Sequence, residues 1–153
     1  MPRVQREPIR QRLGRAFDPA ELRAIKRLWV RHSIAEDRRD LDGLIETLSE
    51  DCVYEIVSTR QVWTGHDGAR RFYGELFAAF PDNAFDLTEI VVGPQGVFEV
   101  AVLTGTNRGP WAGAPPSGLP VRLEVLILFP WDPRNARFRG ERIWFDRASI
   151  HRG

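Results

Sequence analysis

The 153 residues predict an α+β domain in which three helical segments precede a run of antiparallel strands. Up to residue 80, apart from a strand-like stretch at 52–57, the apolar residues recur at spacings of three and four, and from residue 85 onward they alternate in period 2 between turn residues. Composition sets the class: 42% hydrophobic and 28% charged is ordinary for a soluble domain with a substantial core. Nine Phe and five Trp are enough to line an apolar pocket as well as fill that core.

Residues 1–17 carry Arg3, Arg6, Arg10, Arg12 and Arg15 against the single acid Glu7 and show no sustained periodicity. They are expected to form a flexible arm, with residues 18–153 as one domain. Asp18-Pro19-Ala20-Glu21 then opens a helix with an acidic cap, a proline at the first position and an acid three residues on. Leu22, Ile25, Leu28, Trp29 and His32 form its buried stripe, which runs to about Asp37. A second helix is expected from the Asp40 cap to about Glu50, with Leu41, Leu44, Ile45 and Leu48 on one face.

A strand from Cys52 to Val57 follows, and after the pair Val62-Trp63 a third helix carries Phe72, Tyr73, Leu76, Phe77 and Phe80 until Pro81-Asp82-Asn83 stops it. Strands are expected over 85–92, 97–107, 121–129 and 140–148. The first two meet at Gly93-Pro94-Gln95-Gly96, and the last two at a polar turn over 130–139. Between them, residues 108–120 hold too many Gly and Pro to be anything but loop, a plain connection or a lid.

Net charge is +1 and no apolar run approaches the roughly 20 residues of a membrane helix, so neither nucleic acid nor membrane is an expected partner. The lone Cys52 excludes an internal disulfide, and three histidines without a close pair make a metal site an unpromising reading. A cytoplasmic setting is expected. Neither a phosphate-binding G-x-x-x-x-G-K segment nor a G-x-S-x-G elbow is present.

Acid/base chemistry from isolated carboxylates and a helix histidine remains. On the last strand Trp144, Asp146 and Ala148 share one face, and Ile143 and Phe145 the other. If the first face lines a cavity, Asp146 is a carboxylate on an apolar wall, the arrangement that raises a pKa for proton transfer. If that face is solvated, Asp146 merely pairs with an arginine. Glu124, on the even face of the 121–129 strand, is a second candidate acid.

The order of Asp40-Leu41-Asp42-Gly43, Gly65-His66-Asp67-Gly68, Phe80-Pro81-Asp82, Thr104-Gly105-Thr106-Asn107 and Pro115-Pro116-Ser117-Gly118 resembles the SnoaL-like polyketide cyclase branch of the nuclear transport factor 2-like superfamily. The resemblance implies a cone of three helices on a curved antiparallel sheet enclosing a pocket, and an aspartate acid/base on the last strand at Asp146. It also implies a cofactor-free aldol closure in which the substrate's own carbonyls stabilise the enolate.

Departures from the pattern are specific. Asn107 stands where these cyclases commonly have histidine, and Leu126 where many have another. Ile56 falls near the catalytic aspartate of the related ketosteroid isomerases, and His32 at their oxyanion tyrosine. The expected site therefore pairs His32 with Asp146 across one cavity. Tyr54, Trp63 and Trp144 would be its walls, and Asn107 and Glu124 its orienting groups, around a small apolar carbonyl compound. A dehydratase or isomerase, an epoxide hydrolase using Glu124 and Arg122, and a non-catalytic binding or assembly module are the alternatives. A homodimer through the sheet is the expected assembly.

Overall fold

The structure, a computed structural model, describes residues 7–151; Arg3 and Arg6 lie outside them. Helix α1 (Ile9–Leu13) forms within the segment that shows no periodicity in sequence. Side chain to backbone bonds tie this segment to the turn at residues 94–95: the Arg15 guanidinium donates to the Pro94 carbonyl at 2.9 Å, and the Gln95 amide to the Arg12 carbonyl at 2.7 Å.

Helix α2 (Pro19–Asp37) starts as its sequence directs, with the Asp18 carboxylate accepting from the Ala20 N–H at 2.9 Å. Its buried stripe is Ile25, Leu28, His32 and Ala35. Helix α3 (Leu41–Ile45) is shorter than expected and gives way to strand β1 (Leu48–Ile56). The Thr47 carbonyl is taken by the Phe138 N–H at 3.0 Å, so pairing to the last strand pulls residues 47–50 out of the helix. Strand β2 (Gln61–Thr64) and helix α4 (Gly65–Ala79) follow, the helix burying Ala69, Phe72, Tyr73, Leu76 and Ala79.

Strands β3 (Ala84–Gly93), β4 (Gly96–Thr106), β5 (Pro120–Asp132) and β6 (Arg137–Phe145) complete a six-stranded sheet in the order β2-β1-β6-β5-β4-β3. All neighbours are antiparallel except β1 and β6, which run parallel. The polar turn is shorter than its composition suggests, because β5 passes through Pro130 with a shift in register between Leu128 and Trp131. Asp132 then closes the turn, accepting from the Arg134 N–H at 3.1 Å and the Asn135 amide at 2.7 Å.

Along β5 the odd residues Val121, Leu123, Val125, Ile127 and Phe129 are all buried. They form the floor on which α2 and α4 lie, each contributing on the order of 1.5–3 kcal/mol through burial. Among the described residues no helix is long and apolar enough to cross a membrane.

Candidate functional site

The inward aim of one carboxylate is set by an irregularity in β6. Phe138 and Glu141 are both buried although strict alternation over three residues would put them on opposite faces. The difference is taken up at Gly140, whose φ is +97° and which lies beside Val53 on β1. Beyond that point Glu141, Ile143 and Phe145 face the helices, while Arg142 and Trp144 face the other side of the sheet.

Glu141 meets a closed hydrogen-bond network there. The Tyr73 hydroxyl donates to Glu141 Oε1 at 2.7 Å, and with its single hydrogen so committed it accepts from the Tyr54 hydroxyl at 2.9 Å. His32 Nε2 lies 3.1 Å from the same Oε1 and 3.0 Å from the Tyr73 oxygen. On the other side of the ring, His32 Nδ1 is 2.7 Å from the Thr47 hydroxyl, which itself donates to the Leu44 carbonyl at 2.6 Å. Burial, then the charge of Glu141, pushes both tyrosines well above the usual phenol range, so each keeps its hydrogen and serves as a donor.

Glu141 also lines a cavity between the helices and the sheet, walled by Phe72, Phe85, Trp111 and Phe145 and shared with Glu36 of α2. Its free volume is about 30 Å³, room for about one water. Glu36 follows His32 by one helical turn, and its carboxyl is pushed well above the usual range by burial, then by the charges of Glu141, Glu99 and Asp37. Glu99 on β4 accepts from the Trp29 indole at 2.9 Å, and burial followed by the charge of Glu141 raises it to about 7. An apolar chamber thus holds two carboxyl groups with unlike surroundings, Glu141 accepting from Tyr73 beside His32 Nε2 and Glu36 pushed above the usual carboxyl range by burial.

The expected site residues divide. His32 and Tyr54 are in the network, and Tyr54 also packs on Phe72 at 4.7 Å between ring centroids. Trp63 stands behind Phe72 at 5.2 Å rather than on the cavity wall. Asn107 ties off the long loop, donating its N–H to the Leu119 carbonyl at 3.0 Å and accepting from the Gly118 N–H at 2.8 Å. Its buried side-chain oxygen has no hydrogen-bond partner among the described residues.

Glu124, Trp144 and Asp146 are brought together, but on the outer side of the sheet, around a hollow of about 280 Å³. The structure does not place Asp146 across a cavity from His32. Strand β6 ends at Phe145, and the exposed Asp146 carboxylate caps the 3₁₀ turn Arg147–His151, accepting from the Ala148 N–H at 3.0 Å. Arg142 stacks over Trp144 at 4.9 Å and pairs with Glu55 at 2.8 Å.

The family model described as SnoaL-like polyketide cyclase matches residues 22–153. The chain belongs to this SnoaL-like family. A SnoaL-like polyketide cyclase from Jannaschia sp. CCS1 is 25% identical and superposes with a TM-score of 0.72, over 90% of this chain and 95% of that one. Another from Shewanella denitrificans OS-217 is 14% identical with a TM-score of 0.72, over 88% and 96%. The epoxide hydrolase/cyclase-like enzyme SalBIII of salinomycin pyran ring formation is 16% identical with a TM-score of 0.67, over 83% and 94%. No curated protein matches in sequence. At such identities the solved structures show a shared fold, the cone of nuclear transport factor 2-like proteins.

Within this SnoaL-like chain, sequence reasoning passed over Glu36, Thr47, Tyr73, Glu99 and Glu141. Three of these carried a usable signal. Glu36 sits one turn beyond His32, Glu99 alternates with Val97 and Ala101, and Glu141 alternates with Ile143 and Phe145. Each is an acid in phase with an apolar face, the pattern that a wholly solvated acid does not need.

Proposed function

We propose that this SnoaL-like chain is an acid/base enzyme acting on a small apolar carbonyl compound, with Glu141 as base, Glu36 as acid and His32 as partner of Glu141. The observation that carries the reading is the pair of carboxyls on one apolar cavity, held in unlike environments. Glu141 takes a carbon-bound proton next to a carbonyl, and the protonated Glu36 donates to the oxygen on which charge develops. The chemistry needs no cofactor, since the carbonyl delocalises the charge. A ring-sized substrate exceeds the free volume, so binding requires the wall to move. The mobile wall in this reading is the 108–119 loop, which carries Trp111 and is held to α4 by the Arg108 N–H to Ala79 carbonyl bond of 2.7 Å.

Epoxide opening is the second reading, supported by two carboxyls facing a space the size of one water. Glu124 and Arg122 do not supply it, being exposed on the outer face. The assembly in either reading is a homodimer through that outer face, where Phe98, Val100, Leu126, Leu128 and Trp144 form a half-buried apolar band.

The test is hydrogen–deuterium exchange in D₂O, followed by NMR, on a panel of apolar β-dicarbonyl, hydroxy-carbonyl and epoxide compounds. Enzyme-dependent exchange at the carbon next to the carbonyl, lost in Glu141→Gln, is the expected result. Exchange unaffected by Glu141→Gln would sink the assignment, and diol formation from an epoxide would favour the second reading.

A further inference from the structure

Hydrogen count, not only proximity, defines the His32 network. The Thr47 hydroxyl has one hydrogen, and the Leu44 carbonyl, 2.6 Å away, can only accept it. His32 Nδ1 lies 2.7 Å from that same oxygen, so Nδ1 must be the donor. The opposite assignment would leave the Thr47 and Leu44 oxygens in contact with no hydrogen between them. With Nδ1 carrying a hydrogen, Nε2 of a neutral ring presents a lone pair to Glu141 Oε1 at 3.1 Å.

The Tyr73 hydrogen does not relieve that contact. If it lies on Glu141 Oε1, Nε2 faces an acceptor without a hydrogen between them. If it lies on Nε2, the 2.7 Å contact between Tyr73 and Glu141 requires a protonated carboxyl. The first arrangement, with Tyr73 donating to Oε1 at 2.7 Å, is the one the network shows, and it needs one proton beyond a neutral ring and a carboxylate, placed between Nε2 and Oε1. We infer that Thr47 is a positioning residue that fixes the Nδ1–H form of His32, so that His32 and Glu141 share one proton between Nε2 and Oε1 at the edge of the cavity.

The surroundings are consistent with that assignment. His32 is 1% exposed. Tyr73 from α4 and Glu141 from β6 meet Nε2, with Tyr54 of β1 behind Tyr73. Phe129 of β5 and Phe138 of β6 pack edge-on against the ring at 5.3 and 6.2 Å. Glu36 follows on the same helix face, and Glu99 of β4 contributes a further carboxyl to the same interior. No arginine or lysine is among the hydrogen-bond partners of this network in the described residues. Mechanistically, with the shared proton on Nε2 Glu141 is a carboxylate free to accept the carbon-bound proton of the substrate; this consequence rests on the reading of Glu141 as the base.

The experiment is ¹⁵N NMR of the full chain labelled at its three histidines, at pH 7 and without substrate, with His32 assigned by its disappearance in His32→Gln. The wild-type protein is expected to show a protonated Nδ1 at His32. A bare Nδ1 would overturn the inference. Thr47→Val should lower the ratio of the Nδ1–H form to the Nε2–H form about tenfold, the weight of one buried hydrogen bond. Thr47→Ser should restore it, and a spectrum unmoved by Thr47→Val would remove the positioning role. If Thr47→Val does not fold, the wild-type and Thr47→Ser spectra still decide, since a bare Nδ1 in either contradicts the assignment. No turnover enters these measurements, so failed deuterium exchange beside a protonated Nδ1 would sink the acid/base reading and leave this one standing.

Discussion

Gly140 lies against the Val53 carbonyl so closely that a Cβ built on it would overlap that oxygen. With φ at +97° and strand β1 pressed against it, this position admits glycine alone. The parallel pairing of β1 with β6 and the inward turn of Glu141 both pass through this contact.

Gly140→Ala should therefore cost at least about 2 kcal/mol of stability, from positive φ and from the separation of two paired strands. Urea denaturation would measure it. Gly93, where an added Cβ would meet nothing within 4 Å, is the control: Gly93→Ala should shift the midpoint far less.

Glu141→Gln should lower turnover roughly 10²–10⁴-fold, the usual worth of a positioned base, while thermal melting shows a folded protein. Asp146→Asn should leave turnover within about twofold, because an amide oxygen still caps the 3₁₀ turn and the side chain is exposed on the outer face. Steady-state rates of both variants on one substrate decide between the carboxylate the structure puts in the cavity and the one expected from sequence. Loss of activity in Asp146→Asn with activity kept in Glu141→Gln would reverse the assignment.

Local chemistry made much of the fold legible. Asp18-Pro19 starts α2, Pro81-Asp82-Asn83 follows the end of α4, and the odd residues of β5 are buried as their alternation requires. Residues 46–50 were not legible, since Leu44, Ile45 and Leu48 suit a helix face or a strand equally and only the Thr47 to Phe138 bond selects the strand. The site suffered from the same limit. Period 2 tells which residues of β6 share a face, not which face looks inward; that depends on the contact between Gly140 and Val53 and on where α2 and α4 lie. Hence Asp146 and Trp144 drew attention and Glu141 did not.

Tyr73→Phe should cost about 1–3 kcal/mol, because it removes the acceptor of the buried Tyr54 hydroxyl as well as a donor to Glu141. Tyr54→Phe should cost less, since Tyr73 keeps its bond to Glu141. The double variant should be more stable than the sum of the two costs implies, as no hydroxyl is then left stranded. A chemical-denaturation double-mutant cycle gives the coupling, and strict additivity would show that the two hydroxyls do not form one unit.

Stability should fall as pH rises from about 5 to about 8. Burial, then the charge of Glu141, raises Glu99 from 4.5 to about 7, so the folded state binds its proton more tightly than the unfolded chain. The sign follows directly: the contribution is complete below the unfolded value and is lost as pH climbs through the folded one. At 1.36 kcal/mol per pH unit the loss from this group reaches about 3 kcal/mol at most. Glu36, raised by burial and its acidic neighbours, works in the same direction. Asp82, lowered by hydrogen bonds from the Thr106 N–H and hydroxyl, works in the opposite one, its contribution fading only as pH falls below about 3.8. Urea midpoints measured across pH 5–8 should therefore decline in the wild-type protein and decline less in Glu99→Gln, which keeps an acceptor for the Trp29 indole. A wild-type midpoint that rises over this interval would mean that the interior carboxyls are ionised at no cost, and would remove the physical basis for a protonated Glu36 as the acid of the site.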